Sequence, residues 1–145
     1  METNSKALAT ALLVMDVQPA ILGMLGEQGP AFAEITKKAI AAARKASIPV
    51  IYVVVGFRKG FPEMTDDTQN VSFAGLRKSG MAGLEDVTVD PSLGALPEEM
   101  VVTKKRVSAF AGSDLEVILR GHRIEHIVLT GIATSGVVLD RKSNV

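Results

Sequence analysis

Four short apolar runs constrain this chain more than any other feature. They are "ALLVMD" (11–16), "VIYVVV" (50–55), "MVVT" (100–103) and "HIVLTGI" (126–132). Runs of this length with almost no polar alternation predict strands buried on both faces, as in a parallel sheet. Between the first two lies a helical pattern over 31–46, where Phe32, Ile35, Ala39, Ala42, Ala43 and Ala46 recur at three- and four-residue spacing before Pro49 stops it. "GSDLEVILRG" (112–121) predicts a second helix, opened by a capping box of Ser113 with Glu116 and closed by Gly121. Strands alternating with helices give an α/β fold with a parallel sheet covered on both faces. Ligands in such folds bind beyond the carboxyl ends of the strands.

Residues 18–30 read as a Gly- and Pro-bearing loop, and 56–98 as a long Gly- and Pro-rich connection with a short helix near 73–79. A connection of that length inside a compact domain is usually functional or partly structured. No internal repeat, low-complexity tract or linker divides residues 1–145, so a single domain is expected.

Sixteen basic residues balance sixteen acidic ones, and the formal net charge is zero. No global field favours nucleic acid or an anionic membrane, so a small molecule or a protein is the expected partner. The 145 residues contain no cysteine, which excludes from them a disulfide framework, a thiolate metal site and a cysteine nucleophile. "ALATALLVM" (7–15) has Glu2 where a signal peptide needs basic charge, Asp16 directly after it and no small-residue cleavage site. No stretch approaches the ~20 apolar residues that span a bilayer. A cytoplasmic protein without a cofactor is expected.

Three features fall at strand ends: Asp16, Lys104 and the turn from Gly131 to Gly136. Asp16 alone fits a turn cap, and Lys104 beside Lys105 and Arg106 fits solvated surface. At neighbouring strand ends, however, a carboxylate and an ammonium pair and tune each other's proton affinity. Other signals are weaker. His122 and His126 are four apart, but Gly121 ends the helix before both, so no shared metal is expected. "GLRKSG" (75–80) lacks the spacing of a phosphate loop, no GxGxxG follows the first strand, and Ser135 stands outside a G-x-S-x-G elbow. The six methionines read as fillers of core gaps.

Three segments in order, "LLVMDVQ" (12–18), "VVTKKRVSAFAGSDLEVIL" (101–119) and "HIVLTGIATSGVV" (126–138), resemble the isochorismatase-like, or cysteine hydrolase, superfamily. The K-x-R-x-S-A-F pattern followed by G-[ST]-D-L is its most specific part. The resemblance implies a Rossmann-like three-layer α/β/α domain with a six-stranded parallel sheet, whose fourth strand lies beside the first. It implies hydrolysis of small amides or of the vinyl ether of isochorismate by an aspartate, a lysine and a cysteine.

By motif, Asp16 matches the aspartate and Lys104 the lysine, while Val137 stands in the nucleophile slot, which is therefore substituted. The resemblance further implies an oxyanion and substrate-binding turn at Ala133, Thr134, Ser135 and Gly136, with a non-proline cis peptide at Ile132–Ala133. Phe110 lines the pocket or belongs to the core. Metal-binding relatives use an Asp/His cluster after the second strand; "GFRKGFPEMTDD" (56–67) has no histidine, so no metal is expected. The chain stops at "DRKSNV" (140–145), where the family continues to two more strands. The expectation is a domain truncated at its C-terminus, with "HIVLTGI" as an apolar sheet edge that drives formation of a homo-oligomer. Two readings of function remain. One is a hydrolase working by acid/base chemistry without a cysteine. The other is a catalytically inactive small-molecule-binding or oligomeric structural member of the same fold.

Overall fold

A computed structural model describes residues 9–63 and 87–132. The four apolar runs form strands β1 (Thr10–Met15), β2 (Val50–Val55), β3 (Met100–Lys104) and β4 (His126–Gly131). They make one sheet in the order β3-β2-β1-β4, and every pairing is parallel. The helices are α1 (Pro19–Gly23), α2 (Gly29–Lys45) and α3 (Leu115–Gly121). The chain starts in the middle of the sheet, runs outward to β2 and β3, then returns to place β4 on the other side of β1. The strand order therefore reverses between β1 and β4, where open α/β sheets hold their ligands.

Alternation along the strands sorts the core into two layers. Leu12, Val14, Val50 and Tyr52 face Ala33, Ile40 and Ala43 of α2. Leu13, Met15, Ile51, Val53 and Val102 face Leu115 and Leu119 of α3. Double coverage explains why β1 and β2 read as continuous apolar runs. The outer strands depart from the expected double coverage. Val101 of β3 is 47% exposed and Val128 of β4 is 54% exposed, because each outer strand has a neighbour on one side only among the described residues.

The buried stripe of α2 also differs from the expected face. It consists of Gly29, Ala33, Thr36, Ile40 and Ala43, whereas Ile35 is 65% exposed. An alanine-rich helix has apolar residues on most of its circumference, so three- and four-residue spacing selects no unique face. Thr36 enters the stripe because its hydroxyl donates to the Phe32 carbonyl at 2.9 Å. The segment 18–30, read as a loop, holds α1 and a 3-10 turn over Gly26–Gln28. The short helix expected near 73–79 lies outside the described residues.

Both long helices end within a residue of where the sequence places them, but neither closes on its glycine or proline. Ser47 has φ +60°, its N–H donates to Arg44 O at 3.1 Å, and the Ile48 N–H donates to Ala43 O at 2.8 Å. Arg123, at φ +55°, repeats the pattern: its N–H donates to Arg120 O at 3.0 Å, and that of Ile124 to Leu119 O at 2.9 Å. Both are Schellman closures with a non-glycine residue in the left-handed position. Gly121 is the last helical residue of α3 rather than its stop. The capping box is also absent. The Ser113 hydroxyl accepts from the Leu115 N–H at 3.1 Å, but Glu116 pairs with Arg120 at 2.8 Å instead of reaching back.

The amino end of the sheet is fastened by one polar cluster. Arg44 forks onto Glu99 at 2.6 and 2.9 Å, and the Tyr52 hydroxyl donates to Glu99 at 3.0 Å. Burial, with Glu99 beside it, pushes the Tyr52 hydroxyl up to about 12. Its hydrogen bond to Arg44 holds Glu99 below the ordinary 4.5. A carboxylate depressed on folding contributes stability above its unfolded value, and that stability disappears as pH falls through the folded value. Glu99→Gln should therefore cost about 2 kcal/mol at neutral pH, and the variant should lose less stability than wild type when acidified below pH 4.5. Equal acid sensitivity in urea titrations of the two proteins would contradict this. Arg123→Gly should raise stability by about 0.5–1 kcal/mol by relieving the left-handed residue; a lowered urea midpoint would count against the assignment.

Candidate active site

The site grows from where β1 and β3 stop. Val53 pairs with Val102 and Val55 with Lys104, so Lys104 points to the α3 face of the sheet. Continued pleating would send Asp16 to the opposite face, with Leu12 and Val14. Instead Asp16 adopts φ +62°, which ends the strand and swings its side chain around. The Lys104 Nζ lies 3.2 Å from Asp16 Oδ2, having crossed the end of β2, and donates a second bond to the Val107 carbonyl at 2.9 Å. Lys104 has no exposed surface and Asp16 is 5% exposed. The ammonium that looked like solvated surface is among the most deeply buried groups of the molecule.

The other carboxylate oxygen, Asp16 Oδ1, is buried and has no hydrogen-bond partner among the described residues. Burial raises the Asp16 carboxyl above its usual 3.8, and the charge and hydrogen bond of Lys104 only partly oppose it. The sign for stability is opposite to that of Glu99: an acid raised on folding favours the native state at low pH, and that contribution fades as pH rises through the folded value. Such a group keeps its proton to higher pH than a surface aspartate and can deliver it to a bound molecule.

Sequence reasoning gave no role to several residues that build this corner. Gln18 is buried, and its carboxamide makes two bonds to the backbone of Val55 at 2.6 and 2.8 Å. Its sequence signals are its place at the end of "LLVMDVQ" (12–18) and its polarity between an apolar strand and the proline that opens α1. Gly131 pairs with Met15, and a Cβ there would lie 2.5 Å from the Met15 Cβ and 2.7 Å from its carbonyl oxygen. Only glycine lets β4 close on β1 beside Asp16. Val55 and Phe57, with Ile21, Phe61 and Val107 against them, make an apolar wall at the same end of the sheet. The Phe57 and Phe61 rings stand 5.7 Å apart. A cavity of about 450 Å³ opens at the end of β3, lined by Glu63, Lys105, Arg106, Ala111 and Gly112.

Phe110 packs against the layer that holds Met15, Val102, Leu115 and Leu119, on the face to which Lys104 points. Other candidates separate from this corner. His122 follows α3 and His126 opens β4, and both are exposed. Among the described residues no three His, Cys, Asp or Glu side chains converge as metal ligands, and no helix is long and apolar enough to cross a membrane. Ala133, Thr134, Ser135, Gly136, Val137 and the Ile132–Ala133 peptide bond lie outside the described residues.

Comparison with known proteins gives one consistent result. Residues 10–141 match the isochorismatase domain. The chain is 32% identical over 148 residues to the ureidoacrylate amidohydrolase RutB of Pantoea ananatis (strain LMG 20103), covering 87% of this chain and 59% of that protein. It is 31% identical over 126 residues to the uncharacterized isochorismatase family protein YwoC of Bacillus subtilis (strain 168), covering 87% of this chain and 64% of that one. The chain thus spans about three fifths of the length of these curated relatives. An isochorismatase family protein from Burkholderia thailandensis superposes with a TM-score of 0.72 at 29% identity, over 94% of this chain and 71% of that one. A cysteine hydrolase from Pseudomonas syringae pv. phaseolicola 1448A shares the fold with a TM-score of 0.76 at 22% identity, over 94% and 67% of the two chains. By domain match, sequence identity and fold together, the chain belongs to the isochorismatase family.

Proposed function

We propose that this chain is a hydrolase of small molecules that works by acid/base chemistry at Asp16, without a cysteine nucleophile. The observation that carries the reading is the Asp16–Lys104 contact of 3.2 Å, with a raised carboxyl and one buried oxygen that has no hydrogen-bond partner among the described residues. The chain offers no thiol for a thioester, so the reaction that fits its residues is one that needs only proton delivery and water.

Hydrolysis of a vinyl ether is such a reaction. Asp16 protonates the terminal enol-ether carbon, forming a C–H bond and leaving an oxocarbenium ion. Water adds to the former ether carbon and gives a proton back to Asp16. The hemiketal then collapses, the C–O bond breaks, the leaving oxygen takes the hydroxyl proton and a carbonyl remains. Lys104 orients Asp16 and supplies positive charge for an anionic substrate. In this reading the backbone N–H groups of Ala133, Thr134, Ser135 and Gly136 bind the substrate's negative charge, and no oxyanion forms along the path. The ureidoacrylate amidohydrolase named among the relatives cleaves an amide, a reaction this reading does not assign to the chain.

The second reading, a binding member without turnover, draws on Val137 in the slot where the family carries cysteine. One assay separates the two. With isochorismate, wild type should turn over, and Asp16→Asn should lose about 10²–10⁴-fold in kcat/KM, the range for a positioned general acid. Binding by equilibrium dialysis without turnover would favour the second reading and overturn the first. Val137→Cys should introduce a thiol of lowered pKa and a new amidase activity. A variant thiol titrating near 8.5, with no amide cleaved, would mean that the slot is not preserved.

A further inference from the structure

We propose that Gln18 is a positioning residue, whose carboxamide splices the end of β1 to the end of β2 and thereby holds Asp16 against Lys104. The last paired residues of β1 and β2 are Met15 and Val53, after which the Asp16 N–H donates to Val53 O at 2.8 Å and the backbone leaves the sheet. Val55 lies two residues farther, so its N–H and C=O point to the same side as those of Val53, where no strand backbone remains to meet them. Gln18 fills that place. Its Oε1 accepts from the Val55 N–H at 2.6 Å, and its Nε2 donates to Val55 O at 2.8 Å. One side chain thus supplies both bonds that a continuing parallel strand would make through two flanking residues.

The bond pair matters because of what flanks it. On one side, the Gln18 N–H donates to Asp16 O at 3.0 Å, tying the splice to the left-handed residue. On the other, Val55 is the register partner of Lys104, and the Gly56 N–H donates to Lys104 O at 3.1 Å. Gln18 also accepts the Leu22 N–H at 2.7 Å, which starts α1 at Pro19. The two charged residues sit two strands apart. The splice closes the backbone path between them through β2.

A bland role would have Gln18 merely satisfy two buried backbone groups, contributing stability and nothing else. The two roles part at Asp16. If Gln18 positions, loosening it lets water reach the carboxylate and relieves the burial that raises its proton affinity. Among the described residues the charged group facing Asp16 is Lys104, from β3, while Gln18 and Val53 on its other sides are neutral.

The test is a carbon-13 carboxyl NMR titration of Asp16 in wild type, Gln18→Met, Gln18→Asn and Tyr52→Phe. The last removes a buried polar group from the opposite face of β2, away from the pair. Gln18→Met should lower the Asp16 midpoint by about one pH unit, toward the ordinary carboxylate value. Gln18→Asn, which keeps the amide but not its reach, should fall between, and Tyr52→Phe should lose stability with the midpoint unmoved. A folded Gln18→Met with the wild-type midpoint overturns the proposal, as does an equal shift in Tyr52→Phe. Should Gln18→Met not fold, an unshifted midpoint in Gln18→Asn overturns it alone. The proposal rests on Asp16 and Lys104 being the working pair, but its readout needs no substrate. A failed isochorismate assay and a failed titration are thus separate results.

Discussion

An ammonium group with no exposed surface has to be matched by an anion, because leaving water costs it several kilocalories per mole even after the protein relaxes. Lys104 meets that requirement with Asp16, two strands away, and much of the carboxyl end of the sheet can be understood from it. Asp16 must leave the pleat to reach the α3 face, so it takes a left-handed conformation that asparagine, aspartate and glycine tolerate better than other residues. β2 must remain short enough for the lysine stem to pass over its end. The Val107 carbonyl must turn inward as a second acceptor, which shapes the loop after β3. The same desolvation that makes the pair costly raises the carboxyl's affinity for its proton. The energetic burden of the site and its chemical capacity are one effect.

Around this pair the molecule uses rigid, short-range devices in place of bulk. Gly131 gives β4 its closest approach to β1 through the absence of a side chain. Gln18 extends the sheet by a side chain where the backbone has already departed. At the other end, Arg44, Tyr52 and Glu99 tie α2, β2 and the segment before β3 into one charge-assisted knot. The two ends divide the labour. The amino end holds its carboxylate ionised and is stable for it, while burial at the carboxyl end makes its own reluctant to ionise.

Much of this was legible in the sequence, and the misses have particular causes. β1 and β2 could be read from "ALLVM" and "VIYVVV" because double coverage leaves no polar position to blur the pattern. The family motif likewise marked Asp16 and Lys104, and the structure brings these two side chains together. The face of α2 was misread because its alanines carry little directional information, and Thr36 hides its polarity in a bond to its own helix. The helix ends are legible but their closures are not, because a left-handed closure depends on backbone conformation, which Ser47 and Arg123 adopt without advertising it. Gln18 was overlooked for a different reason. Its partner is the backbone of Val55, 37 residues away, and no spacing rule along the chain registers a side chain that imitates a strand.

The left-handed non-glycine residues carry a consequence for how such a protein changes under selection. Ser47 and Arg123 strain the helix ends without serving the pair, so a lineage selected for heat resistance can exchange either for glycine in a single uphill step. Asp16 is different. Exchanging it alone relieves its backbone but strands a buried ammonium, at a cost of several kilocalories per mole, and exchanging Lys104 alone leaves a buried carboxyl that must stay protonated and lacks its hydrogen-bond partner. Only the double exchange, with an apolar residue at 104, reaches a state as stable as the start. The pair is thus walled off by a fitness valley that owes nothing to catalysis. A chain of this fold would keep its aspartate and lysine long after losing any reaction they served, so their persistence in a sequence attests first to the physics of burial.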